Sequence, residues 1–144
     1  MVGWEALANN YKRLIIEGAD GSGKTTLAKT LKQYRMDPED RSFITDVVYR
    51  LEDGKNPWSY VNIEDMAKVL NRCIIVYCKN PNCFEISMQR GEDNITSKKR
   101  SKKIQTIYEY VMTFIKKYTR AKVFEYNWQK DDVNELIKNI KEEL

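Results

Sequence analysis

Eight residues, Gly18-Ala19-Asp20-Gly21-Ser22-Gly23-Lys24-Thr25, match G-x-x-x-x-G-K-[ST] at every fixed position. Few short patterns restrict a fold as much. The glycines let the backbone close around phosphate oxygens without a side chain in the way. The loop's N–H groups and the start of the next helix then face negative charge. This works only if a strand enters the loop and a helix leaves it. Here Leu14-Ile15-Ile16 is a short apolar run ending at Glu17-Gly18, and Leu27 and Leu31 lie four apart in the segment that follows. The pattern predicts a buried strand, a phosphate cradle over Gly18 to Thr26, and a helix over 24–34. Lys24 would place its ammonium on the β- and γ-phosphates, and Thr25 would offer a hydroxyl to Mg²⁺.

The rest of the chain alternates in the same way. Residues 42–51, 63–70, 83–90 and 99–118 carry apolar side chains at helical spacing, and Asp131-Asp132 opens a final helix with Val133, Leu136, Ile137 and Ile140. Cys73 to Cys78 (CIIVYC) and Ala121 to Tyr126 read as core strands. Strands alternating with helices predict an α/β fold: a three-layer sandwich around a small parallel sheet, as one domain over 1–144. Ligands on such sheets bind at the carboxyl ends of the strands. No strand is predicted before Asp40, because Tyr34 to Glu39 is polar and contains Pro38.

Composition removes other chemistries. The chain has 144 residues, no histidine and three cysteines. Ser-His-Asp and Cys-His mechanisms are therefore absent, and a zinc site would lack ligands. Cys73, Cys78 and Cys83 read as reduced thiols. No apolar run approaches the roughly 20 residues that span a bilayer, and Met1 to Arg13 lacks a signal-peptide pattern, so a cytoplasmic protein with no membrane partner is expected. The net charge of +4 suits an anionic ligand. No N-K-x-D is present to read guanine, and CIIVYC ends in Cys78-Lys79 rather than an acid. A small kinase is the reading that remains.

Three stretches resemble the thymidylate kinase family. Glu17 to Thr26 is similar to E-G-x-D-G-x-G-K-[ST]-T. Asp40-Arg41-Ser42-Phe43-Ile44-Thr45-Asp46-Val47-Val48-Tyr49 is similar to D-R-x-x-x-S-x-x-A-Y. The downstream order also fits: core strand, helix ending in Arg90, basic lid, long helix with an inner Tyr108, strand, and a final Asp-Asp-Val helix. The resemblance implies MgATP as donor and a pyrimidine deoxynucleotide-type acceptor. Asp40 would be the carboxylate near the acceptor hydroxyl and the metal waters, and Arg41 would grip an acceptor anion. Asp20 would contact the acceptor sugar, Phe43 and Tyr49 would line the base pocket, and Arg90 with a lid over about 91–103 would close on the transferring phosphate.

Each role has a plainer alternative. Asp40-Arg41 also reads as a surface ion pair, Phe43 and Tyr49 as core, and Arg90 as a helix-terminal cation. Trp58 and Tyr60 read as a base stack or a core cap. Lys98-Lys99-Arg100-Ser101-Lys102-Lys103, with five cations in six residues, reads as a solvated helix start or as a phosphate-tracking stripe. The segment that encloses a free monophosphate in the family is mostly missing between Tyr34 and Ser42. In this the chain resembles reduced phage enzymes that phosphorylate the hydroxymethyl group of 5-hydroxymethyluracil in DNA, which would place a viral chain in the host cytoplasm. A free deoxynucleotide or deoxynucleoside is the alternative acceptor. A non-catalytic nucleotide-binding module and a DNA-binding protein are the rival classes, and a homodimer is left open.

Overall fold

The computed structural model describes residues 13–40, 42–57, 62–91 and 97–144. Among them lie four strands: β1 (Arg13–Glu17), β2 (Glu39–Asp40), β3 (Cys73–Cys78) and β4 (Lys122–Tyr126). Six helices alternate with them: α1 (Lys24–Gln33), α2 (Phe43–Glu52), α3 (Ile63–Leu70), α4 (Cys83–Gln89), α5 (Lys98–Tyr118) and α6 (Val133–Glu143). The sheet order is β2-β1-β3-β4, and every pairing is parallel.

β1 and β3 lie at the centre and are buried on both faces, which is why both read as unbroken apolar runs. Ile15, Ile16, Ile74 and Ile75 are fully excluded from water. Burying each contributes about 1.5–3 kcal/mol. Alternate side chains serve opposite layers. Ile15, Cys73, Ile75 and Tyr77 pack with α2, α3 and α5 through Val47, Val48, Leu70, Tyr108 and Met112. Leu14, Ile16, Ile74, Val76 and Cys78 pack with α1 and α6 through Leu27, Leu31, Leu136, Ile137 and Ile140. The result is the expected three-layer α/β sandwich.

The helix ends follow local chemistry. Ser42, Asn62, Ser97 and Asp132 each accept a backbone N–H with their side-chain oxygen at the start of α2, α3, α5 and α6. α1 differs: its N-cap is Gly23, which has no side chain.

One expectation is overturned. A strand does precede the Asp-Arg box. It is only two residues long, with Ile15 opposite Glu39 and Ile16 opposite Asp40. Pro38 is tolerated because β2 is an edge strand and the proline lies just before it. Arg13 grips Glu39 with two bonds of 2.8 Å, Nε to Oε2 and Nη2 to Oε1, which fixes the register.

Candidate active site

The carboxyl ends of β1, β2 and β3 converge on the loop between β1 and α1. Gly18, Gly21 and Gly23 have φ of 152°, 82° and 90°, values that side chains rarely adopt. Space is also lacking. A Cβ on Gly18 would lie 2.5 Å from the Cys78 carbonyl, and one on Gly23 would lie 2.7 Å from the Trp128 ring. A Cβ on Gly21 would overlap the Cys83 carbonyl and come within 2.6 Å of Ser87 Oγ. The loop therefore passes against β3, α4 and the segment after β4 with backbone alone.

Lys24 is buried, whereas Asp20, Thr25, Thr26 and Asp40 are exposed. Asp40 lies beside Ile16, at the level where β1 enters the loop. Two thiols locate the charges. Burial pushes Cys78 up to about 12, with Lys24 opposing and Asp40 and Glu17 adding to the shift. Burial likewise pushes Cys83 up to about 11, with Lys24 opposing and Asp20 adding. Lys24 thus opposes the rise of both thiols, while Asp40 adds to it at Cys78 and Asp20 at Cys83. All three cysteines are buried free thiols.

Two cavities open at opposite ends of the loop. One, of about 400 Å³, meets Ala19 and is walled by Tyr77, Asn80, Gln105, Tyr108 and Glu109. Its wall is braced: Tyr77 Oη donates to Glu109 at 3.1 Å and Lys79 Nζ at 3.0 Å. The other, of about 300 Å³, meets Gly23 and Thr26 and is walled by Arg90, Tyr126 and Trp128. The loops after β3 and β4 are tied where the cavities approach, because the buried Asn80 donates to Gln129 at 2.9 Å and Lys79 N–H to the Tyr126 carbonyl at 2.9 Å. Buried Ser22 and Ser87 hydroxyls beside the loop have no partner among the described residues.

The residues fit a nucleotide triphosphate with Mg²⁺. The glycine cradle is one that any Cβ would fill, and Lys24 sits at its floor. Thr25 and Asp40 offer two oxygens, and no group of three or more acids or thiols forms a metal cage among the described residues.

No protein-family model and no curated protein matches this sequence. Solved structures do. The YorR protein of Bacillus subtilis, in complex with phosphorylated GDP, matches over 90% of this chain and 94% of its own, at 17% identity and a TM-score of 0.66. The deoxyadenosine kinase of M. mycoides, with products dCMP and a flexible dCDP bound, matches over 91% and 97%, at 13% identity and a TM-score of 0.64. The chain shares the fold of these two nucleotide-bound proteins.

Within this fold the expected residues distribute unevenly. Gly18 to Thr26 form the loop and the first turn of α1, and Asp40 stands beside them. Arg90 follows α4 and lines the cavity at Gly23, as does Trp128. Phe43 and Tyr49 pack against the core under α2. Phe43 lines a crevice of about 40 Å³ with Val47, Leu51, Met66 and Phe114, too small for a base. Arg41, Trp58, Tyr60 and lid residues 92–96 lie outside the described residues. Part of the basic run has local partners: Arg100 forks onto Glu52 at 2.5 and 2.9 Å, Lys103 donates to the Glu52 carbonyl at 3.0 Å, and Lys98 lies 3.5 Å from Glu85. Trp128, Gln105 and Glu109 were not among the expected site residues, whereas Tyr108 was expected as an inner residue of the long helix.

Proposed function

We propose that this chain is an ATP-dependent phosphotransferase acting on a pyrimidine nucleoside or nucleotide. The observation that carries the proposal is the loop of left-handed glycines around buried Lys24, with a cavity at each end and Asp40 alongside. The donor triphosphate lies along Gly18 to Thr25, with its base in the cavity between Arg90 and Trp128. The acceptor occupies the larger cavity at Ala19. Loop N–H groups and Lys24 hold the charge that spreads over the transferring group. Asp40 orients the acceptor hydroxyl or phosphate oxygen and takes its proton where it has one. The new oxygen–phosphorus bond forms as the bond between the β-bridging oxygen and the γ-phosphorus breaks. Mg²⁺, when bound at Thr25 and Asp40, neutralises charge on the phosphates.

A base carried in DNA is the second reading, favoured by the short connection from α1 to β2 and by the run 98–103. It is the weaker of the two. Three of the five cations in that run already engage Glu52 or Glu85, and YorR, matched over nearly its whole length, was solved with a free nucleotide. Transfer of labelled γ-phosphate to thymidine, dTMP, other free deoxynucleosides and their monophosphates, and 5-hydroxymethyluracil-containing DNA decides between them. Label on a free nucleoside or nucleotide supports the first reading, and label on DNA alone replaces it with the second. No transfer to any acceptor, with ATP still bound, leaves a binding module.

A further inference from the structure

Glu17 ends β1 and directly precedes Gly18, the first residue of the loop. It is a carboxylate with no exposure to solvent. Four donors meet it. Oε2 accepts from the Ser42 backbone N–H at 2.9 Å and from Ser42 Oγ at 2.6 Å. Oε1 accepts from Thr45 Oγ1 at 2.7 Å and from Tyr108 Oη at 3.2 Å. These donors come from two other parts of the fold. Ser42 lies two residues beyond Asp40 and also caps α2 by accepting the Ile44 N–H at 3.1 Å. Tyr108 lies on α5.

A stable core does not need a carboxylate at this point. Glu17 and its partners, replaced together by apolar side chains of similar volume, would fill such a place at equal or lower cost. Four charge-assisted bonds with defined directions supply something else, a fixed geometry between the parts they join. The parts joined here are the start of the glycine loop, the turn carrying Asp40, and α5.

We infer that Glu17 is a positioning residue for phosphoryl transfer: it holds the Asp40 turn at a set distance from the loop and couples that distance to α5 through Tyr108. Its catalytic consequence rests on the function proposed above, while the coupling itself does not. An angstrom-scale misplacement of a reacting group costs on the order of 100-fold in rate. Glu17→Gln keeps the shape of the side chain. Its carbonyl can still serve Ser42, and its amide can face the Thr45 and Tyr108 hydroxyls, which rotate to accept. The charge and the ordering weaken while the fold remains.

The test has two arms. In the first, kcat and the KM for ATP are measured for wild type, Glu17→Gln, Asp40→Asn and the double variant. Glu17→Gln should lower kcat at least about tenfold with the KM for ATP within about twofold, the signature of a group acting at the transition state. The double variant should be no slower than Asp40→Asn alone, since both changes remove one function. Multiplying losses, or a KM that rises as kcat falls, overturns the inference. In the second arm, hydrogen exchange is followed without substrate in Tyr108→Phe. Amides of Ser42 to Thr45 should exchange several-fold faster while those of α6 are unchanged. Unchanged exchange at Ser42 to Thr45 overturns the coupling. If the wild type transfers phosphate to no acceptor, the proposed function fails and the exchange arm alone decides.

Discussion

Replacing Gly21 with alanine separates two costs that the loop combines. The first is backbone strain: a side chain held in the left-handed region costs about 1–2 kcal/mol. The second is collision. The new methyl would overlap the Cys83 carbonyl at the start of α4 and approach Ser87 Oγ to 2.6 Å. A carbonyl at a helix start cannot swing away as a lysine tip can, so α4 must shift, at about 1–3 kcal/mol. Alanine also stiffens the unfolded chain, which returns about 0.4–1 kcal/mol. The net loss for Gly21→Ala is about 1–4.6 kcal/mol, centred near 3, or roughly 3–18 °C in Tm for a chain of this size. Gly54 is the control. Its φ is 73°, close to the 82° of Gly21, yet a Cβ there meets nothing within 4 Å. Gly54→Ala should lose only the strain less the entropy gain, about 1 kcal/mol and under about 5 °C. Thermal unfolding of both variants side by side is the assay. Equal drops would mean that α4 does not press on the loop, and the geometry assigned to the site would be wrong.

Other outcomes follow from the same geometry. Lys24→Ala should lower the rate of phosphate transfer at least about 100-fold, comparable to deleting a main transition-state donor. Asp40→Asn should lower kcat far more than it weakens ATP binding, and the reverse result, read by steady-state kinetics and calorimetry, would remove Asp40 from the acceptor side. Trp128→Ala should weaken ATP binding about tenfold, because a base–aromatic stack is worth about 1–3 kcal/mol, and should change kcat less. Alkaline pH should destabilise the fold. Cys78 and Cys83 have folded values near 12 and 11 against an ordinary 9.0, and burial raises Tyr77 and Tyr108 above their ordinary 10.0. Groups whose folded pKa is raised contribute fully below the unfolded value and lose that contribution as pH climbs towards the folded one. Tm measured against pH should therefore fall from about pH 9 upward, and a flat profile between pH 9 and 11 would contradict the burial of these groups.

The main features of this fold were readable from the sequence because they rest on local chemistry. The apolar runs of β1 and β3, the glycine loop and the spacing in α5 each carry their own signal. β2 was not readable. Two residues are too few to show a period, and what holds them is Arg13, distant in sequence but adjacent across the sheet. Glu17 stood in a motif, but its donors lie 25 to 91 residues away and no spacing rule joins them. Phe43 has the composition of a base-pocket residue and the position of a core residue, and packing on α5 decides for the core. Trp128 is an exposed aromatic in a loop with no motif, and only the approach of Gly23 gives it a role. Arg90 was identified as a site residue, but its place beside Trp128 depends on where α4 ends.

The central claim is that Gly18 to Thr25 hold a triphosphate in a site shared with Asp40. A crystal structure with a non-hydrolysable ATP analogue and Mg²⁺ tests it most directly. The account predicts the β- and γ-phosphates within the loop, Lys24 Nζ on their oxygens, and the base between Arg90 and Trp128. A nucleotide bound elsewhere, or a loop left empty at saturating analogue, would contradict it.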